Sequence, residues 1–272
     1  MHGVSGGKPG GLRARRRRAR FITLFTLTVF LALGVWGVGL LSYHSRLTIA
    51  EIQVEGAKDT PTSAISDAFN TALHDHAYHL FSRANIFLYP RTMLSGALLN
   101  DFPRLDSVSI SRASLLSQAI IVTVHERDAQ YEWCNDGGCY LVDASGYLFA
   151  PTVGASDRYV FRGGLFPGEP IGQTFLQGRL RSVTQLLDVL SRAGFSPRGA
   201  TVESEKDLEV ELQKGFALKF AFDADFHAAA RKFALAAASE ALARRLGDLE
   251  YIDLRFGDRL YYKFKGGEEI GG

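Results

Sequence analysis

The histidine-rich segment after residue 73 holds the residue types from which metal sites are built. His74, Asp75, His76 and His79 fall within six consecutive positions. On a helix, His76 and His79 would share one face, and an H-x-H pair could chelate a metal from a strand. A solvated helix end explains the same residues without any ligand. We therefore expect no metal ion at this segment, and the sequence indicates no other cofactor.

Residue pairs typical of hydrolytic enzymes are incomplete in this chain. His125-Glu126 begins like the H-E-x-x-H motif of zinc proteases, but the second histidine is absent. Asp143 and Asp253 lie at strand and turn positions, where hydrogen bonding within the turn is the usual role of an aspartate. A glycosidase with two paired carboxylates is an alternative that no spacing supports. The sequence therefore predicts no catalytic residues and no small-molecule substrate.

The two cysteines, Cys134 and Cys139, flank the segment Asn135-Asp136-Gly137-Gly138. This segment is a strong signal for the turn of a β-hairpin. Opposed residues of an antiparallel pair have Cα atoms about 4.5–5.5 Å apart, which is within disulfide range. In an oxidising compartment we expect a disulfide here, and two free thiols remain the alternative. Two thiols alone are too few ligands for a structural metal site.

The histidines, aspartates and cysteines described above all follow an apolar segment, and this segment determines on which side of a membrane they lie. Residues 21–43 contain no Asp, Glu, Lys, Arg or His. About 20 mostly apolar residues suffice for a helix to cross the hydrocarbon core of a bilayer, and in lipid such a segment must be helical. The sequence therefore predicts a transmembrane helix over residues 21–43. A cleaved signal peptide is an alternative, but the Ser42–Arg46 exit lacks a good A-x-A cleavage pattern. A buried core helix is the other alternative.

The charge on either side of this segment predicts its orientation. Residues 1–20 hold seven basic side chains and no acidic one, which is typical of a cytoplasmic flank. We expect this basic tail to contact the lipid bilayer rather than nucleic acid. The rest of the chain holds 24 basic and 29 acidic residues, so its net charge is −5. A net acidic ectodomain argues against a nucleic-acid partner.

The chain from residue 47 to residue 127 predicts a compact α+β domain. Alternation over Leu47–Glu55 predicts a strand, and Thr60-Pro61 predicts the start of a helix. A second helix is predicted after Pro90, and two further strands are predicted around Val108 and over residues 119–124. Helices on one face of a small sheet are the simplest packing for this order.

Residues 128–265 predict a larger, mainly β domain with two long helices. Its predicted helices cover residues 179–193, ended by Gly194, and residues 225–246, capped by Asp223. The predicted strands include the hairpin at the cysteines, 200–205, 208–213, 216–222, 251–256 and 260–265. The sequence predicts that residues 266–272 form a flexible tail. The fold class predicted for the whole chain is therefore α+β.

The order and spacing of several motifs resemble those of the bacterial cell-division family FtsQ/DivIB. The similarity covers about residues 21–265. The matching residues are Ile52-Gln53-Val54-Glu55-Gly56, Phe102-Pro103-Arg104-Leu105, Val108, Arg112, Val124-His125-Glu126-Arg127, Trp133, Leu141-Val142-Asp143, Gly146 and Tyr251-Ile252-Asp253-Leu254-Arg255-Phe256. The resemblance implies a POTRA domain over residues 47–127 and a β domain over residues 128–265. It also implies a non-catalytic scaffold of the division machinery, anchored in the cell inner membrane at the septum.

The last predicted strand is the candidate partner-binding site. A terminal strand at a sheet edge exposes unpaired backbone groups to which another chain can add a strand. The resemblance implies that FtsB/FtsL-like single-span division proteins bind here. The residues it implies are Arg255, Phe256, Leu260, Tyr261, Tyr262, Lys263 and Phe264. An ordinary capped edge with no partner is the alternative.

Two further expectations depend on the same resemblance. It implies a second, weaker contact region on the POTRA sheet at Val108, Ile110 and Arg112, for other components of the division machinery. An anchored POTRA chaperone or secretion accessory is the alternative class of protein. Such proteins usually precede a β-barrel, and no barrel-length array of strands follows here.

Overall fold

The computed structural model describes residues 11–74, 79–114, 117–154, 156–257, 259–267 and 269–271. The chain divides into two compact units. The first contains the chain up to Phe102 together with Ser107–His125, and the second contains Pro103–Asp106 together with the chain from Glu126 onward. The architecture is α+β with an N-terminal apolar helix and a large mixed sheet, which confirms the predicted fold class.

Helix α1 (Gly11–Ser42) contains the apolar segment and extends into the basic residues before it. The part over Arg15–Ser42 has a mean hydropathy of 2.2 in its most apolar window, and 6% of that window is buried. By length and composition this helix is able to cross a membrane. A core helix of a soluble protein is mostly buried, so the exposure of α1 argues against that alternative.

The first unit follows the predicted order of strand, helix, helix, strand, strand. Its elements are β1 (Glu51–Glu55), α2 (Thr62–Leu73), α3 (Arg91–Asp101), β2 (Leu105–Arg112) and β3 (Ala119–Glu126). Strand β3 lies between β2 and β1, and β1 runs parallel to it. Ile65 and Phe69 of α2 and Leu94 and Leu98 of α3 are buried. Both helices therefore pack an apolar face into a core.

The second unit is built on one large sheet. Its elements are β4 (Tyr131–Asn135), β5 (Gly138–Val142), β6 (Leu148–Pro151), β7 (Val160–Gly163), α4 (Leu180–Arg192), β8 (Pro197–Val202), β9 (Asp207–Leu212), β10 (Ala217–Ala221), α5 (Phe226–Ala237), α6 (Glu240–Ala243), β11 (Leu249–Asp253), β12 (Tyr261–Phe264) and β13 (Glu269–Gly271). Within the described residues the sheet has ten strands, in the order β13-β12-β11-β10-β9-β8-β7-β4-β5-β6.

One face of this sheet is packed and the other is open. In β9, Leu208, Val210 and Leu212 are buried, while the alternate residues are partly exposed acids. Helices α4 and α5 contribute to the same hydrophobic core as these leucines and valine, through residues such as Leu187 and Phe233. The packed face therefore lies under the two helices, and the open face carries the charged side chains.

The predicted hairpin at the cysteines is present in β4 and β5. Cys134 lies directly opposite Cys139, and the loop between the strands is Asp136-Gly137. The two cysteines form a disulfide, with their Cα atoms 4.1 Å apart. Of the two alternatives that the sequence left, the structure therefore has the bridged one.

The long helix predicted over residues 225–246 is divided into two. Helix α5 ends at Ala237, and the short α6 begins at Glu240 with Ser239 as its N-cap. The cap of α5 is Asp225 rather than the predicted Asp223. The Asp225 carboxylate accepts hydrogen bonds from the backbone N–H groups of the second and third helical residues at 2.9 and 3.0 Å, which is the geometry of an N-cap.

The flexible tail predicted over residues 266–272 instead includes a strand. A turn with Gly266 at a φ of 73° reverses the chain, a conformation that glycine adopts without steric cost. Strand β13 then pairs antiparallel with β12, with Tyr262 opposite Ile270. The strand predicted over residues 260–265 is therefore not the edge of the sheet, because β13 occupies that position.

The opposite edge of the sheet, β6, is covered by the loop before α4. The Leu148 N–H donates to the Gln173 carbonyl at 2.9 Å, and the Gly172 N–H donates to the Leu148 carbonyl at 2.8 Å. Tyr147 and Thr174 form an isolated antiparallel bridge beside these bonds. The backbone of β6 is therefore partly occupied on its outer side.

Candidate partner-binding site

Arg255 lies two residues after the end of β11 and is held in place by two carboxylates. Its Nε and Nη2 donate to the two oxygens of Asp253 at 3.0 and 2.6 Å. Its Nη1 lies 3.2 Å from Asp207 Oδ1 on β9. Because Asp253 is only 3% exposed, this bidentate pair fixes the plane of the guanidinium. Hydrogen bonding to Asp253 raises the pKa of Arg255, so the group stays charged at any physiological pH.

Phe256 presents an aromatic ring next to this arginine. Its side chain is 54% exposed, the largest exposure among the large apolar residues of the predicted site. The ring meets Tyr261 edge-on, with the ring centroids 5.3 Å apart. Arg255 Cζ lies 5.6 Å from the centroid of the Phe256 ring. Arginine and aromatic residues held in fixed positions are the usual hot spots of protein interfaces.

The remaining residues of the predicted site fall on both faces of the sheet. Leu260, Tyr262 and Phe264 are partly buried and pack against the hydrophobic core. Lys263 alternates with them along β12, and its Nζ lies 2.9 Å from a carboxylate oxygen of Glu250. The inward-facing residues therefore stabilise the sheet, and the open face offers Lys263 and Tyr261 next to Phe256.

Strand β13 is tied to the open face by a side-chain hydrogen bond as well as by backbone pairing. The Tyr251 hydroxyl donates to the Glu269 carboxylate, and this bond raises the pKa of Tyr251 to about 12. Lys219 Nζ lies 4.0 Å from the centroid of the Tyr251 ring. Because Tyr251 stays protonated at neutral pH, the bond to Glu269 persists under physiological conditions.

A groove beside Arg255 is absent from the sequence prediction. It has a volume of about 580 Å³ and is formed by the start of β9, the end of β10 and the starts of α4 and α5. Its walls include Arg179, Ser182, Lys206, Phe222, Asp223 and Phe226. Arg179 Cζ lies 5.2 Å from the centroid of the Phe222 ring. Together with Arg255, these residues come from four separated segments, so no local pattern could predict the groove.

The second contact region predicted from the resemblance lies on β2, an outer strand of the three-stranded sheet. Ile110 is buried, so its side chain belongs to the core. Val108 and Arg112 are partly exposed. Arg112 Cζ lies 4.9 Å from the centroid of the Phe87 ring. Two of the three residues are therefore accessible to a partner, and Ile110 is not.

Asp143 and Arg127, which carry part of the family resemblance, form a structural ion pair in the second unit. Arg127 Nη1 donates to Asp143 Oδ2 at 2.6 Å and lies 3.1 Å from Asp106. The other oxygen of Asp143 accepts from the Ser145 N–H and hydroxyl and from the Tyr147 N–H. Asp143 therefore holds a turn, as expected from its position in the sequence.

This pair predicts an acid-sensitive contribution to stability. Burial raises the pKa of Asp143, but hydrogen bonds from Ser145, Tyr147 and Arg127 outweigh it and lower the pKa below 3.8. The contribution is therefore complete above pH 3.8 and is lost as the pH falls through the lowered pKa. We expect Asp143→Asn to flatten the decline in the free energy of unfolding at acidic pH, measured by urea unfolding. A decline of unchanged slope would contradict this role.

The histidine-rich segment lies only partly within the described residues. Asp75 and His76 fall outside them, and the His79 carbonyl accepts a hydrogen bond from the Tyr43 hydroxyl at 2.5 Å. In the parts of the chain that the structure describes, no group of three or more His, Cys, Asp or Glu side chains is arranged to hold a metal ion.

Comparison with known families identifies one matching segment. Residues 132–255 match the family model described as cell division protein FtsQ/DivIB, C-terminal. The matched segment lies in the second unit, begins in β4 and ends at Arg255. No curated protein matches the chain. The match therefore includes the Asp253–Arg255 pair and ends just before Phe256.

Proposed function

Because residues 132–255 match the FtsQ/DivIB family of cell-division proteins, we propose that the chain is a member of this family and a membrane-anchored scaffold that recruits late division proteins to the septum. The family is non-enzymatic, and we propose the same of this chain. Helix α1 anchors it in the cell inner membrane, with the basic tail in the cytoplasm and both folded units outside. The first unit, with its strand-helix-helix-strand-strand order, acts as the POTRA domain.

The partner is an FtsB/FtsL-like single-span protein that binds at the C-terminal edge of the large sheet. The observation that carries this proposal is the way the sheet ends. Its last strand, β13, has three residues, all of them exposed. Beside it stand the fixed Arg255 and the exposed Phe256. A partner strand gains backbone hydrogen bonds at such an edge, and the arginine and the aromatic ring give it side-chain contacts.

Strand β13 affects partner binding in this mechanism, because it occupies the outer side of β12. We propose that the partner strand displaces β13 and pairs with β12 itself. The tail then acts as a competing strand within the same chain. Only the fraction of molecules with β13 detached is competent to bind, and the apparent affinity is lower by that fraction.

Deleting residues 267–272 tests the displacement directly. We expect the deletion to tighten partner binding about five- to tenfold, because a competing strand with a free energy of about 1 kcal/mol is removed. The measurement is isothermal titration of the full chain and the truncated chain, each in nanodiscs, with the purified partner ectodomain. Glu269→Gln, which weakens the bond from Tyr251, should give a smaller gain. Weaker binding after truncation would show instead that the partner adds to β13.

The proposed function as a whole is tested by site-specific crosslinking in dividing cells. A photoreactive phenylalanine analogue at Phe256 is expected to capture a small single-span protein with an extracytoplasmic coiled coil. The same analogue at Phe166, which is 85% exposed in a loop of the same unit, is the control. Capture of an outer-membrane barrel or an unfolded secretory chain at Phe256 would favour the chaperone or secretion alternative and reject the scaffold.

A further inference from the structure

The loop after α2 is fastened to the C-terminal end of α1. A Cβ atom added at Gly39 would lie 2.6 Å from the Leu80 carbonyl oxygen, so only glycine allows the loop this close to the helix. The Ser82 N–H donates to Ser42 Oγ at 2.9 Å, and Asn85 Nδ2 donates to the Ser42 carbonyl at 2.9 Å. Ser42, Ser82 and Asn85 are all buried. The loop is therefore part of a specific and well-packed junction.

This junction lies at the depth where a membrane helix leaves the bilayer. An α-helix rises about 1.5 Å per residue, so about 20 residues cross a hydrocarbon core of about 30 Å. Counted from Phe21, the first residue after the basic tail, this length ends near Leu40. Gly39 and Ser42 are therefore at the boundary between hydrocarbon and headgroups, and the loop that contacts them is at the same depth.

The surface next to this junction is apolar and aromatic. Its large apolar side chains are between 38% and 57% exposed, namely Leu80, Phe81, Phe87 and Leu88. A cluster of this kind in water has an unfavourable free energy, and such exposed patches mark sites of membrane or protein contact. Aromatic rings at the headgroup level are a common feature of membrane proteins.

The charge of the same segment matches a lipid surface. Residues 80–100 contain Arg83 and Arg91 and no Asp or Glu, although the chain after residue 20 is net acidic. Anionic headgroups attract basic side chains placed at the membrane surface. Segments that bind at the membrane interface typically combine apolar and aromatic side chains with basic residues and lack acidic ones.

We infer that the surface formed by Leu80, Phe81, Phe87 and Leu88 inserts into the leaflet at the C-terminal end of α1. Its partner is an anionic phospholipid bilayer, contacted in addition to the transmembrane helix. This inference rests on the proposed anchoring by α1. The junction at Gly39 and the lipid contact together hold the first unit against the membrane surface.

Depth-dependent fluorescence quenching tests this inference on the full chain. The protein is reconstituted in bilayers of phosphatidylcholine and phosphatidylglycerol that carry bromine near the headgroups. In a Trp36→Phe background, Phe81→Trp or Phe87→Trp is expected to be quenched at least twofold more than Leu235→Trp. Leu235 is 77% exposed on α5, so it controls for exposure alone, and the buried Trp133 is common to all variants.

Two further measurements separate the outcomes. Quenching of Trp36 in the native chain by bromine deep in the acyl chains reports whether α1 spans the bilayer. If Trp36 is quenched while Trp at positions 81 and 87 behaves like the control at 235, the anchor holds and the inference is overturned. If the side chains at positions 81 and 87 are shielded from solvent in cells but not in bilayers of pure lipid, a protein partner covers this surface. That result would also overturn the inference.

A pair of glycine variants tests the role of the junction. Gly39→Val places side-chain atoms against the Leu80 carbonyl, so we expect the loop to move away and the quenching of Phe87→Trp to fall. Gly37→Val is the matched control in the same helix, because no atom of the described residues lies within 4 Å of a Cβ at Gly37. Equal quenching in the two variants would show that the junction does not position the loop.

Discussion

Replacing Gly199 with alanine is expected to lower the free energy of unfolding of the second unit by about 3 kcal/mol or more. A Cβ atom at Gly199 would lie 1.7 Å from the Val160 carbonyl oxygen, well inside the contact distance of the two atoms. Gly199 lies opposite Val160 in the parallel pair β7–β8, which joins the two halves of the large sheet. Neither backbone is able to move away without breaking this pair.

The measurement is urea unfolding of the full chain in detergent, followed by Trp133 fluorescence in a Trp36→Phe background. Trp133 is buried and its Nε1 donates to the Gly163 carbonyl at the end of β7, so it reports on this part of the sheet. Gly247→Ala is the control, because no described atom lies within 4 Å of a Cβ there. Equal stability of the two variants would contradict the close approach of β7 and β8.

Replacing Phe256 with alanine is expected to weaken binding of the proposed FtsB/FtsL-like partner by at least about 30-fold. Truncation of an interface hot spot costs about 2 kcal/mol or more, and 1.4 kcal/mol is a factor of ten in affinity. The fold should be little affected, because Phe256 is mostly exposed and the backbone at Arg255 is held by Asp253. The measurement is titration of the partner ectodomain against the full chain in nanodiscs.

Phe166→Ala is the matched control for this variant. Phe166 is the more exposed of the two rings, and its backbone is fixed by two hydrogen bonds to the Gln173 side chain. We expect unchanged partner binding and unchanged unfolding in this control. If both variants bind normally, Phe256 is not an anchor, and the contact must depend on backbone pairing at β12.

Periodic segments with clear end signals could be predicted closely from the sequence. The helix predicted over residues 179–193 is present as α4 over Leu180–Arg192, because its buried leucines and valine recur at helical spacing. Gly194 follows it with a φ of 84°, the conformation expected after a helix C-terminus. The order of elements in the first unit could be predicted for the same reason.

Features that depend on distant pairing could not be predicted. Strand β13 has three residues and lies among glycines, so it lacks the alternation that indicates a strand, and only its pairing with β12 defines it. The break between α5 and α6 depends on the turn at Ser239, within a run of good helix formers. In both cases tertiary structure overrides a local preference.

The candidate site likewise combines features that could be predicted from the sequence with features that could not. The resemblance pointed to Arg255 and Phe256, and the sequence placed them at the end of a strand predicted over residues 251–256, whereas β11 ends at Asp253. It does not show that Asp207, on another strand, completes the contacts of Arg255. It also does not separate the inward-facing Tyr262 from the outward-facing Tyr261, because that assignment requires the register of β12 on β11.

The unequal edges of the large sheet would limit the assemblies that the proposed strand pairing allows. At β6 the outer backbone groups of Leu148 are engaged by residues 172 and 173 of the same unit, whereas β13 at the other end has three exposed residues. A sheet with two open edges is divalent and can grow into a filament. Because β6 is partly occupied, strand addition is expected at the β13 end, where each molecule would accept a single strand and terminate the chain of pairing.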